Sequence, residues 1–445
     1  MSEDDYRSVP RGRLARFGQF GRLAGGVAGG MIAEGARRLA DGQRPSMQDM
    51  LLTPGNAKRL ADRLAHLRGA AMKLGQMISL DAGEFLPDEL GAILARLRDQ
   101  GYRMPPQQLQ QILNREWGVP WRPRFRQFNA TPIAAASIGQ VHRATTQNGR
   151  DLAIKVQYPG VADSIDADVD NVATLLRVSG LLPTSLDIAP LLTAAKEQLA
   201  READYRREAD YLQRYGALLA GDERFVVPAF DAEFSTGHVL AMSYVAGTPI
   251  ERLEDAEQPV RDAAVAELVE LVLRELFEFG LMQTDPNFAN YRVQAETGRL
   301  ILLDFGAARE IAPEVSQGYA RLLAAMLDGD VPRIRAAAVA AGFLGARAAE
   351  RHGALIDRMI GVILEVLERP GPFDFGDRAF IATLREQGIV IAADRESWHL
   401  PPAALLFVQR KVSGTALLAA RLGARVQLKE LIGRFVAGSP PRSCP

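Results

Sequence analysis

An α+β chain is predicted, with a small strand-rich part, a larger helical part and an added helical module ahead of both. Three observations carry this. Short apolar strand patterns and a Gln147-Asn148-Gly149 turn are concentrated between Phe128 and Val156. Helical periodicity dominates beyond Val260, interrupted by one hairpin pattern near 291–303. Leu60, Leu64, Leu67, Ala71, Leu74 and Ile78, alternating in steps of four and three, lay an apolar stripe along one early helix. At 445 residues the chain exceeds one ordinary core, so two or three packed units are expected.

Residues 1–50 read as a loosely structured leader. Its stretch Leu23–Ala33, LAGGVAGGMIA, is half the length of a bilayer span. Two readings remain for it: a flexible glycine-rich segment, or a surface for peripheral membrane contact. Residues 51–120 form the added module, starting near Thr53-Pro54, with further helices around Pro87–Leu97 and Pro105–Trp117. Residues 121–247 form the strand-rich lobe. Strands are expected at Ala136–Ala144, Asp151–Gln157, Phe225–Val227 and His238–Val245, with helical pattern over 161–220 that breaks near Leu181-Leu182-Pro183 and of which 160–195 is an insertion relative to an ordinary kinase. Residues 248–445 form the helical lobe, with a loop at Pro370-Gly371-Pro372.

The formal net charge of −1 gives no general attraction to nucleic acid. Cys444 is the sole cysteine, which excludes disulfides and cysteine-metal sites inside the fold and fits a reducing, cytoplasmic setting. No run reaches the roughly 20 apolar residues of a transmembrane helix, so any membrane contact is expected to be peripheral, on the inner face.

The chemistry concentrates in Leu281–Gly306, LMQTDPNFANYRVQAETGRLILLDFG. A loop supplies Asp285 and, five residues on, Asn290; a hairpin strand then ends in Asp304-Phe305-Gly306. Turn chemistry beside a buried strand would explain Asp-Phe-Gly alone. With D-x-x-x-x-N ahead of it, the pattern is the metal-and-base half of a kinase-type phosphoryl-transfer site. Asn290 and Asp304 offer hard oxygen ligands for Mg²⁺, and Asp285 faces the attacking oxygen. Leu152-Ala153-Ile154-Lys155 matches the strand-borne V-A-I-K pattern, in which the lysine reaches nucleotide phosphates. A helix read over Lys196–Leu219 offers Glu202, Asp204 and Glu208 as carboxylates to fix it, with Glu202 to Arg206 as the solvated alternative. Where a kinase carries a glycine-rich loop, this chain has Ala134, Ala135, Ala136 and Ser137. Their backbone amides can hold phosphates, in a stiffer loop than glycine would give. Tyr244 and Val245 are read as the adenine-facing hinge.

Together these parts resemble the UbiB/AarF family of atypical kinase-like proteins, of ADCK type, from about residue 50 to 440. The resemblance rests on Ala71-Met72-Lys73-Leu74-Gly75-Gln76 (K-x-G-Q), AAASIGQVHRA, LAIKVQYPGV, Glu202-Ala203-Asp204 (E-x-D), Gln283-Thr284-Asp285-Pro286-Asn287 and Asp304-Phe305-Gly306. It implies a bilobal protein-kinase-like fold with the K-x-G-Q helix lying over the active site. Lys73 and Gln76 would gate it, with Lys73 near Glu202 and Asp204 and with Lys155 paired to Glu208. It further implies an ATP- or ADP-binding, Mg²⁺-dependent kinase or ATPase that supports ubiquinone or other prenyl-lipid biosynthesis at the membrane face. Partners would be a quinone intermediate and quinone-biosynthesis proteins. Two alternatives stand beside it: a small-molecule phosphotransferase, and a non-catalytic module in which nucleotide switches a lipid- or partner-binding surface.

Overall fold

The computed structural model describes residues 104–136, 138–178, 189–397, 399 and 401–437. The leader, the apolar-stripe helix with Lys73 and Gln76, and Ser137 lie outside the described residues. The chain divides into two compact units: residues up to 213 together with 228–244, and residues 214–227 together with 245–445.

The described part of the first unit begins with helix α1 (Pro106–Trp117), which has proline in its first turn and buries Leu109, Ile112 and Leu113. Strands β1 (Phe125–Phe128), β2 (Ala134–Ala135), β3 (Gly139–Thr146) and β4 (Asp151–Gln157) come after it. Helices α2 (Ile165–Val178), α3 (Ala189–Glu202) and α4 (Tyr205–Leu218) come next; β5 (Phe225–Val226) belongs to the second unit and β6 (Val239–Ser243) to the first. The sheet runs β1-β3-β4-β6, with β2 also on β3, and every pairing is antiparallel. The β3–β4 turn falls where the sequence placed it, with Gly149 at φ 87°, a conformation that favours glycine. Strand β6 is shorter than expected, ending at Ser243. An aromatic cluster packs one side of the unit: Trp117 lies 5.4 Å from Phe125 and 5.6 Å from Phe234 between ring centroids. Its indole N–H donates to the Phe234 carbonyl at 3.0 Å.

One expectation is corrected here. The helix read as continuous from Lys196 to Leu219 is broken at Ala203-Asp204. Asp204 Oδ1 accepts the backbone N–H groups of Arg206 and Arg207 at 3.2 and 3.1 Å, so it caps the start of α4. An aspartate that can satisfy those amides favours a new helix start over a helix interior.

The second unit carries a sheet of order β5-β10-β9-β7, where β7 is Thr248–Pro249, β9 Tyr291–Val293 and β10 Leu300–Leu302. Helix α5 (Gln258–Arg274) ends in a π-turn over Glu275–Phe279, closed by Gly280 in the left-handed region at φ 59°. Strand β8 (Leu281–Gln283) then pairs antiparallel with β11 (Ala308–Glu310). The rest is helical: α6 (Pro313–Asp328), α7 (Val331–Ala340), α8 (Ala346–Arg351) and α9 (Gly353–Leu367), then α10 (Ala379–Ala393), α11 (Ala403–Arg421) and α12 (Leu428–Ala437). Strands β12 (Phe373–Asp374) and β13 (Arg425–Val426) pair among them. Val272, Leu276, Met282, Tyr319, Leu405 and Val408 form a core cluster that fixes β8 against α5, α6 and α11. No helix among the described residues is long and apolar enough to cross a membrane.

The β3 strand shows what part of the AAASIGQVHRA segment does for folding. Gln140 Oε1 accepts the Met104 N–H at 2.9 Å, and Gln140 Nε2 lies 2.8 Å from His142 Nε2. His142 Nδ1 reaches the Asn129 carbonyl at 2.8 Å. The network assigns the neutral tautomer with Nδ1–H donating and Nε2 accepting. His142 is fully buried, and that burial lowers its pKa to about 4 against a backbone hydrogen bond acting the other way. The folded chain therefore binds fewer protons than the unfolded chain between pH 6.5 and about 4, and stability is lost as pH falls through that window. A shift of that size corresponds to about 3 kcal/mol at most. Chemical denaturation across this range is expected to show the slope in the native chain and a clearly flatter one in His142→Gln.

Candidate active site

Within the first unit, Lys155 sits on β4 opposite Val141 and Leu240, pointing its side chain into a buried setting at 7% exposure. Its ammonium donates to both carboxylate oxygens of Glu208, at 2.7 and 2.9 Å. Glu208 lies in the first turn of α4 and is 1% exposed. The Lys155 Nζ also stands 5.3 Å above the Tyr205 ring, a cation–π contact from the same helix. A lysine and a glutamate buried this far are tolerated only as a pair, since each alone would carry an uncompensated charge. The pair therefore fixes α4 to the sheet, and with it the height at which the lysine stands.

Of the other carboxylates, Glu202 is buried at the end of α3, where its Oε1 accepts Gln198 Nε2 at 3.3 Å. Its solvated alternative, pairing to Arg206, is not what the fold builds. Asp204 is exposed and spends one oxygen on the helix cap. The turn between them is held to the sheet by Gln157 Nε2, which donates to the Ala203 carbonyl at 2.8 Å. The partner implied for both acids, Lys73, lies outside the described residues.

Ala134 and Ala135 are exposed on β2, opposite Val141 and Gln140 of β3. The Ala136 amide donates to the Gly139 carbonyl at 2.9 Å, so that N–H is committed to the turn. Gly139 itself has no room for a side chain: a Cβ there would meet the Val156 carbonyl at 2.5 Å and the Tyr205 hydroxyl at 2.8 Å. Tyr244 directs its backbone N–H to the Asp151 carbonyl at 2.8 Å, and its ring carries Arg143 at 4.1 Å. That N–H is thus occupied, and Tyr244 closes the first unit while Val245 opens the next stretch of the second.

Within the second unit the loop after β8 and the Asp-Phe-Gly turn are stitched together. Thr284 Oγ1 donates to the Ala307 carbonyl at 2.8 Å. Gln283 Oε1 accepts the Asp285 N–H at 3.1 Å, fixing the backbone that carries Asp285. Asn290 Nδ2 reaches the Asp285 carbonyl at 3.4 Å, and its own carbonyl accepts the Leu303 N–H at 3.0 Å. Asp304 Oδ1 accepts the Gly306 N–H at 2.9 Å, which orients the carboxylate. Phe305 is buried and packs on Tyr215, 4.7 Å between centroids. Asp285, Asn290 and Asp304 all remain partly exposed. Gln283 and Thr284 act through their side chains here, which residue spacing did not show. Their signal in the sequence is membership of the Gln283-Thr284-Asp285-Pro286-Asn287 motif.

The donor set fits a hard divalent cation. The Asn290 amide nitrogen faces the Asp285 carbonyl, leaving Oδ1 turned away from it, and Asp304 supplies carboxylate oxygen. Among the described residues there is no group of three or more His, Cys, Asp or Glu side chains able to hold a metal ion.

A sequence profile of the ABC1 atypical kinase-like domain matches residues 96–338. The chain is 36% identical to the mitochondrial atypical kinase COQ8B of Rattus norvegicus, over 96% of this chain and 80% of that one. It is 34% identical to the mitochondrial atypical kinase COQ8 of Saccharomyces cerevisiae, over 97% of this chain and 86% of that one. Among solved structures, the complex of Rv3197 with erythromycin from Mycobacterium tuberculosis superposes with a TM-score of 0.61 at 27% identity, over 86% of this chain and 95% of that one.

The Lys155–Glu208 geometry sets a stability expectation. Glu208→Ala strands a buried ammonium and should cost about 3–5 kcal/mol, whereas Lys155→Met with Glu208→Leu should cost far less. Urea unfolding of the three proteins measures the difference. A double variant as unstable as Glu208→Ala would show that the two residues do not act as a pair.

Proposed function

The chain belongs to the ABC1 family of atypical kinases, and from that premise we propose that it binds Mg²⁺-nucleotide and turns over ATP, passing the terminal phosphoryl group to water or a small hydroxyl acceptor. The observation that carries this reading is the bidentate Lys155–Glu208 pair, the arrangement a kinase needs to hold its phosphate-binding lysine in place. In this reading Lys155 neutralises α- and β-phosphate oxygens as a point charge. Asn290 and Asp304 would hold Mg²⁺, which would supply positive charge against that building on the phosphates. Asp285 orients the attacking oxygen and takes its proton as that oxygen bonds to phosphorus and the bond to the ADP leaving group breaks. The exposed Ala134 and Ala135 flank the phosphates, and Tyr244 and Val245 meet the base through groups other than the Tyr244 N–H. Lys73, Gln76, Glu202 and Asp204 gate access.

The segment after Asp-Phe-Gly narrows the acceptor class. Strand β11 pairs with β8 from Ala308, and α6 begins at Pro313 with Ala312 as its cap. That leaves no long activation segment on which a peptide would be laid out. Relatives named as mitochondrial COQ8 kinases, and the resemblance to ubiquinone-linked proteins, support a prenyl-lipid or quinone intermediate as the client, met at a membrane face.

Asp304→Asn keeps an oxygen for the Gly306 N–H but removes the negative charge on the metal. It is expected to lower Mg²⁺-dependent ATP turnover by roughly 100-fold or more, with the fold retained. ATPase rates of both proteins, with and without anionic liposomes and a phenolic prenyl-lipid mimic, are the test. Equal turnover by the variant would remove the assignment.

A further inference from the structure

A second buried ion pair lies in the second unit, in residues the reaction above does not use. Glu275 opens the π-turn at the end of α5 and is 0% exposed; Lys411 lies within α11 and is 2% exposed. Lys411 Nζ stands 3.4 Å from Glu275 Oε2 and donates to the Tyr291 hydroxyl at 2.8 Å. Glu275 Oε1 accepts the Tyr215 hydroxyl at 2.8 Å and the Gln283 backbone N–H at 3.2 Å. Burial disfavours both charges: it works against the Lys411 ammonium, whose pKa Glu275 and Tyr291 nonetheless raise, and it raises that of Glu275 against the pull of Lys411 and Tyr215.

The partners of this pair share one feature. Gln283 stands two residues before Asp285, and Tyr291 comes directly after Asn290. The carboxylate therefore grips one end of the loop and the ammonium grips the other. Between the ends, α11 presses on the loop itself. A Cβ added at Gly414, one turn beyond Lys411, would lie 1.9 Å from Pro286 Cβ. Glu275, Gln283, Tyr291 and Lys411 also line, with Asn290 and Asp304, a cavity of only about 10 Å³. That is room for about one water, so little open space separates the pair from Asn290 and Asp304.

We propose that Glu275 and Lys411 are positioning residues that clamp the 283–291 loop at both ends and so set the geometry in which Asp285 and Asn290 are presented to Mg²⁺-nucleotide. The role rests on the functional reading above. Stability alone does not account for it, because a buried ion pair is commonly replaceable by apolar residues of similar volume at little cost. Its hydrogen bonds to Gln283 and Tyr291 are not replaceable in that way.

The test uses the full chain and the double variant Glu275→Leu with Lys411→Met, which removes both charges together. Three quantities are read: the unfolding temperature, hydrogen exchange in peptides covering 281–293 without nucleotide, and the Mg²⁺ concentration at half-maximal ATP binding. The expected result is a chain that still folds cooperatively, at a lowered unfolding temperature because the Tyr215 hydroxyl, Gln283 N–H and Tyr291 hydroxyl lose their partners, with lost exchange protection in that segment and a Mg²⁺ midpoint raised roughly 10- to 100-fold, as for other residues that orient metal ligands. Unchanged protection and an unchanged midpoint in the folded double variant overturn the proposal. If the double variant does not fold, Tyr291→Phe decides: it removes only the hydroxyl that accepts from Lys411. A faster exchange of the segment together with a several-fold higher midpoint supports the clamp, and native values for both overturn it. Absence of Mg²⁺-dependent ATP binding in the unaltered chain would sink the functional reading instead, while the exchange arm still judges the clamp.

Discussion

A charge taken out of water must find an opposite charge in a fixed place, and this requirement governs both units of the chain. Apolar side chains can settle against many neighbours at similar energy, because the hydrophobic effect has little direction. An ammonium 7% exposed cannot. Lys155 is held by two oxygens of Glu208, so β4 and α4 have one acceptable arrangement. Lys411 is held between Glu275 and Tyr291, which does the same for α11, the π-turn and β9. In each unit the ion pair lies beside residues assigned to chemistry. The cost of burial is offset by geometry that a purely apolar contact would not define.

What could be read from the sequence was local. The β3–β4 hairpin needs a residue tolerant of positive φ at its turn, and Asn148-Gly149 announces it. The β9–β10 hairpin is marked in the same way by Gly298, at φ 72°. Asp285, Asn290 and Asp304 stand out as candidates because their spacing along the chain is itself the signal. The choice of Glu208 for Lys155 came from family resemblance alone, since spacing offered three acids on what was read as one helix. The break at Asp204 shows why periodicity failed there: an aspartate that caps and an aspartate on a solvated helix face look alike in a string of letters.

Glu275 was only half legible. It follows Leu268, Leu271 and Val272 at seven, four and three residues, so it continues the buried face of α5. Its neighbour Glu278 is exposed and pairs with Arg274 at 3.1 Å. What spacing does not show is the partner that makes a buried carboxylate tolerable, Lys411, which lies far away in sequence. Gly414 was hidden in the same sense. Inside a helix it reads as a weakening residue, costing about 1 kcal/mol against alanine. Its purpose appears only when Pro286, far away in sequence, is found against its backbone.

These features bear on what sort of acceptor the second unit can serve. A loop tied by Glu275 at Gln283, by Lys411 at Tyr291, by Thr284 to Ala307 and by Gly414 against Pro286 has few ways to adapt. Protein kinases that await a peptide keep their post-Asp-Phe-Gly segment movable, because its ordering is the switch. Here that segment is already a strand on β8, and its Glu310 meets Arg214 at 3.0 Å. Under the proposed function, a loop fixed in advance suits an acceptor that needs no accommodation, such as water or a small hydroxyl. Control would then fall to access to the site and not to assembly of this loop, which is the role that the resemblance gives to the K-x-G-Q helix.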